Sequence, residues 1–220
     1  LGDGVHSIEV PDGTHAIELR YQRGGPVNFY GVALERAGPG VVYDSLGLVG
    51  ARANRLLNFD EAHIRRQLEQ RGTNLIVLGF GGNEASDDRT EQMFYEDYLK
   101  VLSRMRQGRE DLACLVFAPL DQARRTRGRI RTLPTIPLIV AAHRRAAFDS
   151  GCAFYDTWHA MGGENAMRRW YKARPRLAMG DFRHATPAGD EIIGNMFYKA
   201  ILAGFADYLS RETSVAPASP

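Results

Sequence analysis

Residues 74–85 read NLIVLGFGGNEA, and this stretch decides the fold class. From Asn74 to Phe80 the chain is almost continuously apolar, the pattern of a strand buried on both faces of a parallel sheet. Two glycines end the run and leave Asn83 and Glu84 at its carboxyl end. The same rhythm repeats on either side. Residues 61–71 carry apolar side chains at helical spacing, and residues 90–107 (TEQMFYEDYLKVLSRMRQ) place Phe94, Tyr98, Val101, Leu102 and Met105 on one helical face. That stripe reads as core packing. Strands over 41–43, 113–118 and 153–157 alternate with helices over 137–150 and 164–172. A last helix opens with Thr186 as N-cap, Pro187 in its first turn, and Asp190 and Glu191 near the positive end of its dipole, and runs to about residue 209. Strands alternating with helices predict an α/β fold: a parallel sheet with helices on both faces.

The first forty residues follow another pattern. Residues 6–10 (HSIEV), 15–22 (HAIELRYQ) and 27–35 (VNFYGVALE) alternate as β-strands do, separated by the turn signals Pro11-Asp12-Gly13 and Gly24-Gly25-Pro26. We expect a partial antiparallel, β-sandwich-like segment over 1–40, an α/β domain over 41–212 and a disordered tail over 213–220. Three short strands need a partner to cover one face.

Composition excludes several classes. Within 220 residues, 28 Lys+Arg balance 26 Asp+Glu and 44% of residues are hydrophobic, as in a globular protein. No apolar run reaches the roughly 18–20 residues of a membrane span. A net charge of +2 is too small to argue for nucleic acid or an anionic membrane surface. Cys114 and Cys152 each sit in a strand-like run, and two cysteines make no disulfide framework, so both are expected to be small buried hydrophobes. His6, His15, His63 and His143 have no metal-type spacing, and neither a metal nor another cofactor is expected.

Ligands of such sheets bind at the carboxyl ends of the strands. Three segments bring polar groups there: residues 44–50 (DSLGLVG), residues 81–84 (GGNE) and residues 181–184 (DFRH). Asp181 lies three residues before His184, so its carboxylate can accept from the imidazole Nδ1–H and leave Nε2 as a general base. The spacing alone also suits an Asp and a His that decorate a helix entrance. The Asn83 amide can donate to a developing oxyanion or stabilise a turn. Gly50 can offer a bare backbone N–H to the same oxyanion or simply make a tight turn. The arginines 124, 125, 127, 129 and 131 read either as a clamp for carboxylates or as a solvated basic loop. Trp158, His159 and Trp170 suit a sugar site or packing.

Taken together, these blocks resemble the SGNH (GDSL-like) hydrolases, serine esterases with a flavodoxin-like three-layer α/β/α sheet. Gly50 in GLVGA resembles the family's second block and Asn83 in FGGNEA its third, which the resemblance assigns to the oxyanion hole. Asp181 and His184 in DFRH resemble the last block, which holds the acid and base of the triad. The match runs from about residue 41 to 209 in the family's order. It is nearest to bacterial peptidoglycan and polysaccharide O-acetylesterases, in which a carbohydrate-binding-like β domain follows the nucleophile block. GPVNFYGVALER running into PGVVYDSLGLVGA resembles the end of such an insertion.

The nucleophile block, Gly-Asp-Ser, does not occur in these residues. Ser45 in Tyr43-Asp44-Ser45-Leu46 is the nearest alternative, but it lies where the family's second strand should be. In the family's strand order 2-1-3-4-5 the nucleophile-bearing strand is internal. We therefore expect the chain, which starts at Leu1, to be the carboxyl-terminal part of a longer esterase. A segment outside residues 1–220 would supply the first strand and the serine. The resemblance implies hydrolysis of O-acetyl esters on a carbohydrate or peptidoglycan, in the periplasm or outside the cell, with neither a nucleic-acid partner nor a membrane span. A non-catalytic glycan-binding protein on the same scaffold, and an O-acetyltransferase using the same site, are the alternatives.

Overall fold

The computed structural model describes residues 4–215, with side chains through Arg211. Two units divide the chain, one up to Leu46 and one from Gly47. In the first, residues 4–46 form neither strand nor helix, with bends near Gly13, Gly24 and Gly38. The strands expected over 6–10, 15–22, 27–35 and 41–43 are therefore absent. Local side-chain contacts occur instead: the Tyr21 hydroxyl donates to Gly25 O at 2.8 Å, and the His15 Nε2 bonds Pro11 O. The alternating apolar side chains, Ile8, Ile17 and Leu19 among them, face solvent. Short strands without a second layer bury too little to hold a ladder together. Residues 1–3 and the expected tail over 216–220 lie outside the described residues.

The second unit is the α/β fold. After a 3-10 turn at Ala53–Asn58, its elements are α1 (Glu61–Gln70), β1 (Leu75–Gly79), α2 (Glu91–Arg106), β2 (Ala113–Phe117), β3 (Ala123–Thr126), β4 (Arg129–Thr132), α3 (Thr135–Asp149), β5 (Ala153–Tyr155), α4 (Thr157–Ala160), α5 (Ala166–Lys172) and α6 (Pro187–Val215). Side-chain caps start two helices where the sequence places them: Asp60 accepts from His63 N at 2.8 Å, and Thr90 from Met93 N at 3.3 Å. α6 continues past residue 209 because neither Gly nor Pro interrupts residues 205–215.

β1, β2 and β5 form a parallel sheet in the order β1-β2-β5, with Leu75 opposite Ala113 and Leu115 opposite Ala153. The α/β class expected from the sequence is thus borne out. One face buries Ile76, Leu78, Cys114 and Val116 against Tyr98, Val101 and Leu102 of α2 and Ala146 and Ala147 of α3. On the other face the rings of Phe117 and Tyr155 meet Phe197 of α6, at 4.3 and 5.2 Å between centroids. Leu75 and Val77 on that face remain 48% and 43% exposed, and among the described residues β1 pairs on one side only.

Cys114 and Cys152 are not free thiols. Each precedes a residue of the Leu115–Ala153 register pair, so their Cα atoms lie 4.8 Å apart and the sulfurs join in a disulfide. Cross-strand register, which residue spacing does not reveal, makes the bond. A third feature the sequence reads as a loop is a separate antiparallel hairpin of β3 and β4. Its Ala123 and Ile130 pack with Met161, Met167, Trp170 and Phe182 in a core of their own.

Candidate active site

The turn after β1 and the chain entering the second unit hold each other. Gly50 turns with φ +70°, a conformation that glycine adopts without steric penalty, and Ala51 N donates to Leu48 O at 3.1 Å. The Asn83 Nδ2 donates to Ala51 O at 2.8 Å. An amide nitrogen carries two hydrogens, so one N–H of Asn83 is used as a tether and the second is left to point elsewhere. Glu84 reinforces the junction. It is 7% exposed, and its two oxygens accept from Ala53 N at 2.7 Å and Gly81 N at 3.1 Å. Outside it, Arg52 forms a two-pronged ion pair with Asp87 at 3.1 and 2.8 Å.

Asp181 and His184 sit just before α6. The His184 Nδ1 lies 2.6 Å from Asp181 Oδ2, while Asp181 Oδ1 accepts from Arg183 N at 3.0 Å and His184 N at 3.2 Å. A carboxylate only accepts, so Nδ1 carries the proton and Nε2 is the basic nitrogen. Partial burial alone would push the Asp181 carboxyl up. The bonds from the His184 ring and from the two backbone N–H groups outweigh it and hold the carboxyl below the ordinary carboxylate range. Phe182, between the two, takes a left-handed φ of 59° and sends its ring into the hairpin core. Thr186 caps α6 through Gly189 N at 3.3 Å, as its place before Pro187 predicts.

Further bonds join these segments. Arg183 Nη2 donates to Ser86 Oγ at 3.1 Å, three residues beyond Asn83. Gln122 Nε2 donates to Gly82 O at 2.8 Å, and its neighbour Ala123 N to Phe182 O at 2.9 Å. Gly50, Asn83, Asp181 and His184 therefore lie on linked segments of one rim. Ser45 belongs to the preceding unit.

The other candidates separate. Trp158 Nε1 donates to buried Asp121 at 3.3 Å and Trp170 Nε1 to Met161 O at 3.1 Å, both packing roles. His159 repeats the Asp-x-x-His arrangement with Asp156, Nδ1 to Oδ2 2.6 Å, a spacing that was readable in Asp156-Thr157-Trp158-His159. His143 is buried against the Tyr98 ring at 3.7 Å, and burial pushes its pKa down to about 3. The roles of Glu84 and Gln122 escape sequence reasoning because each bonds a backbone group far along the chain, Ala53 N and Gly82 O. Among the described residues no three His, Cys, Asp or Glu side chains are grouped as a metal site would need, and no helix is long and apolar enough to cross a membrane.

A model of the GDSL-like Lipase/Acylhydrolase family matches residues 11–192, well over half of the sequence. The chain belongs to this family. The resemblance to this family read from the sequence is thereby borne out. Among solved structures, a peptidoglycan O-acetylesterase superposes with TM-score 0.60 at 21% identity, covering 74% of this chain and 45% of that one. An acetyl esterase mutant with an acetate ion gives TM-score 0.50 at 15% identity, covering 72% and 70%. At these identities both likenesses speak for the fold. The chain spans less than half the length of the first. No curated protein matches significantly.

Proposed function

We propose that the protein is a serine esterase that removes O-acetyl groups from a carbohydrate or peptidoglycan. One observation carries the reading: the Asp181–His184 contact of 2.6 Å is tied, through Arg183 and Ser86, to the turn bearing Asn83. A serine Oγ attacks the acetyl carbonyl while His184 Nε2 takes its proton, and Asp181 orients and steadies the imidazolium that forms. The Gly50 N–H and the second N–H of Asn83 hold the oxyanion. The protonated His184 then gives its proton to the departing sugar oxygen. Water, activated by the same nitrogen, releases acetate and restores the serine.

The nucleophile comes from a segment outside residues 1–220. These residues contain no Gly-Asp-Ser, and β1 has an open edge with half-exposed Leu75 and Val77 beside it. A strand supplied by that segment would pair at this edge. The Cys114–Cys152 disulfide favours an oxidising compartment, so we place the protein in the periplasm or outside the cell.

The test is hydrolysis of an aryl acetate by the full-length protein. We expect His184→Ala to lower kcat by about 10²–10⁴ and phenylmethylsulfonyl fluoride to label a serine upstream of Leu1. Wild-type rates after His184→Ala would overturn the esterase reading, and labelling of Ser45 would overturn the placement of the nucleophile.

A further inference from the structure

The β3–β4 hairpin carries five arginines in the eight residues 124–131, and neither Asp nor Glu occurs from 122 to 148. The register sets Arg124 opposite Arg131 and Thr126 opposite Arg129, so Arg124, Arg129 and Arg131 share one face. The other face turns inward: Ile130 is buried and the Arg125 guanidinium lies 5.2 Å from the centre of the Phe182 ring. The turn between the strands is Arg127-Gly128, both with positive φ (49° and 76°). This is the two-residue hairpin turn that favours Asn-Gly, here with an arginine in the left-handed position at the tip.

Such a hairpin is built against its own stability. Like charges directly opposite on a ladder repel, and a side-chain-bearing residue at φ 49° is strained. Arg124, Arg127, Arg129 and Arg131 are exposed and, among the described residues, none of their guanidinium groups makes an ion pair or hydrogen bond. An anion bound between them offsets both penalties.

The root of the hairpin fixes where that anion lies. Ala123 N bonds Phe182 O, between Asp181 and His184, and Gln122 bonds Gly82 O, beside Asn83. Four extended residues then carry the arginines out to about 13 Å from this junction. We propose that the hairpin is a binding arm for a polyanionic, carboxylate-bearing glycan, holding the chain of which one acetylated unit enters the site. The proposal rests on the esterase reading for what happens at that unit. Guanidinium groups pair with carboxylates in two-pronged fashion, and successive arginines along a ribbon suit carboxylates repeated along a polymer. Nucleic acid fits less well, because the hairpin carries no aromatic ring on which a base could stack.

Binding and turnover are measured separately on the full-length protein. Polygalacturonate serves as the anionic probe, neutral xylan and a single-stranded oligonucleotide as comparisons, at 20 and 200 mM NaCl. We expect wild type to bind polygalacturonate and not xylan, with affinity falling at least fivefold at the higher salt. Arg124→Gln/Arg129→Gln/Arg131→Gln is expected to weaken it at least tenfold, and the corresponding triple Lys variant to restore part of the salt-dependent binding. The ratio of kcat/KM on acetylated polygalacturonate to that on aryl acetate falls at least tenfold in the Gln variant. Absence of polygalacturonate binding by wild type, equal binding by the Gln variant, or tighter binding of the oligonucleotide would overturn the proposal. Arginine-dependent binding without aryl-acetate hydrolysis would sink the esterase reading and keep the arm. Hydrolysis without polygalacturonate binding would do the reverse.

Discussion

Replacing Glu84 by Gln tests how the rim is held. Both carboxylate oxygens of Glu84 accept from backbone N–H groups, Ala53 at 2.7 Å and Gly81 at 3.1 Å, in a place only 7% exposed. Glutamine keeps the shape and one acceptor, but turns the other oxygen into an NH₂ that faces an N–H donor. One charge-assisted bond is lost and its donor is left buried. A bond to a charged group contributes about 1.5–3 kcal/mol, so we expect Glu84→Gln to cost about 2–3 kcal/mol. That corresponds to about 4–12 °C in Tm for a protein of this size. Glu84→Ala strands both donors and costs more. Urea denaturation of the full-length protein measures the difference as a shift in midpoint at unchanged slope. Ala53 lies three residues after Gly50 and Gly81 two residues before Asn83, so kcat on an aryl acetate should fall along with stability. A loss below about 0.5 kcal/mol for Glu84→Gln would refute the argument, since it would mean that the two bonds do not carry the junction.

Three further outcomes are expected. Asn83→Ala removes the proposed oxyanion donor and the 2.8 Å tether to Ala51 O; kcat should drop about 10²–10³ with KM little changed, and a pure KM effect in steady-state kinetics would contradict the role. His143 is buried and neutral with its pKa lowered from 6.5 to about 3, so the unfolded chain binds the proton that the folded one refuses. Its stabilising share is therefore whole above pH 6.5 and is lost as pH falls toward 3; His143→Phe should flatten the denaturation midpoint across that window. Reducing the Cys114–Cys152 bond, which spans 38 residues, should lower stability by about 4 kcal/mol by the loop-entropy argument, read as a drop in Tm with dithiothreitol that Cys114→Ser/Cys152→Ser reproduces.

The parts of the molecule legible in its sequence are those written in local periodicity. β1, β2, α2 and α3 follow from apolar runs and a helical stripe, and Thr186-Pro187 marks the start of α6. Block order gave the Asn83 and Asp181/His184 segments, because a strand end and a helix entrance are local events. What depends on register or distant partners was hidden. Cys114 meets Cys152 only through the pairing of β2 with β5, and Glu84 and Gln122 each reach a backbone group of another segment, Ala53 N and Gly82 O. The alternation over residues 6–35 is genuine, yet alternation predicts a strand only when something pairs with it. The arginine run misled for the opposite reason: its turn is Arg-Gly rather than Asn-Gly, so charge hid a hairpin.

The open edge of β1 bears on how the protein can be handled. Leu75–Gly79 reads LIVLG, five residues with neither charge nor proline, and its outer backbone groups have no ladder among the described residues. A bare apolar edge is a template for any strand that arrives first. Refolding is then a competition between the proposed neighbouring strand and another copy of the same segment, and the second route grows with concentration. Preparations of residues 1–220 should clump in a dose-dependent way, and co-expression of the segment proposed to carry the nucleophile should relieve it.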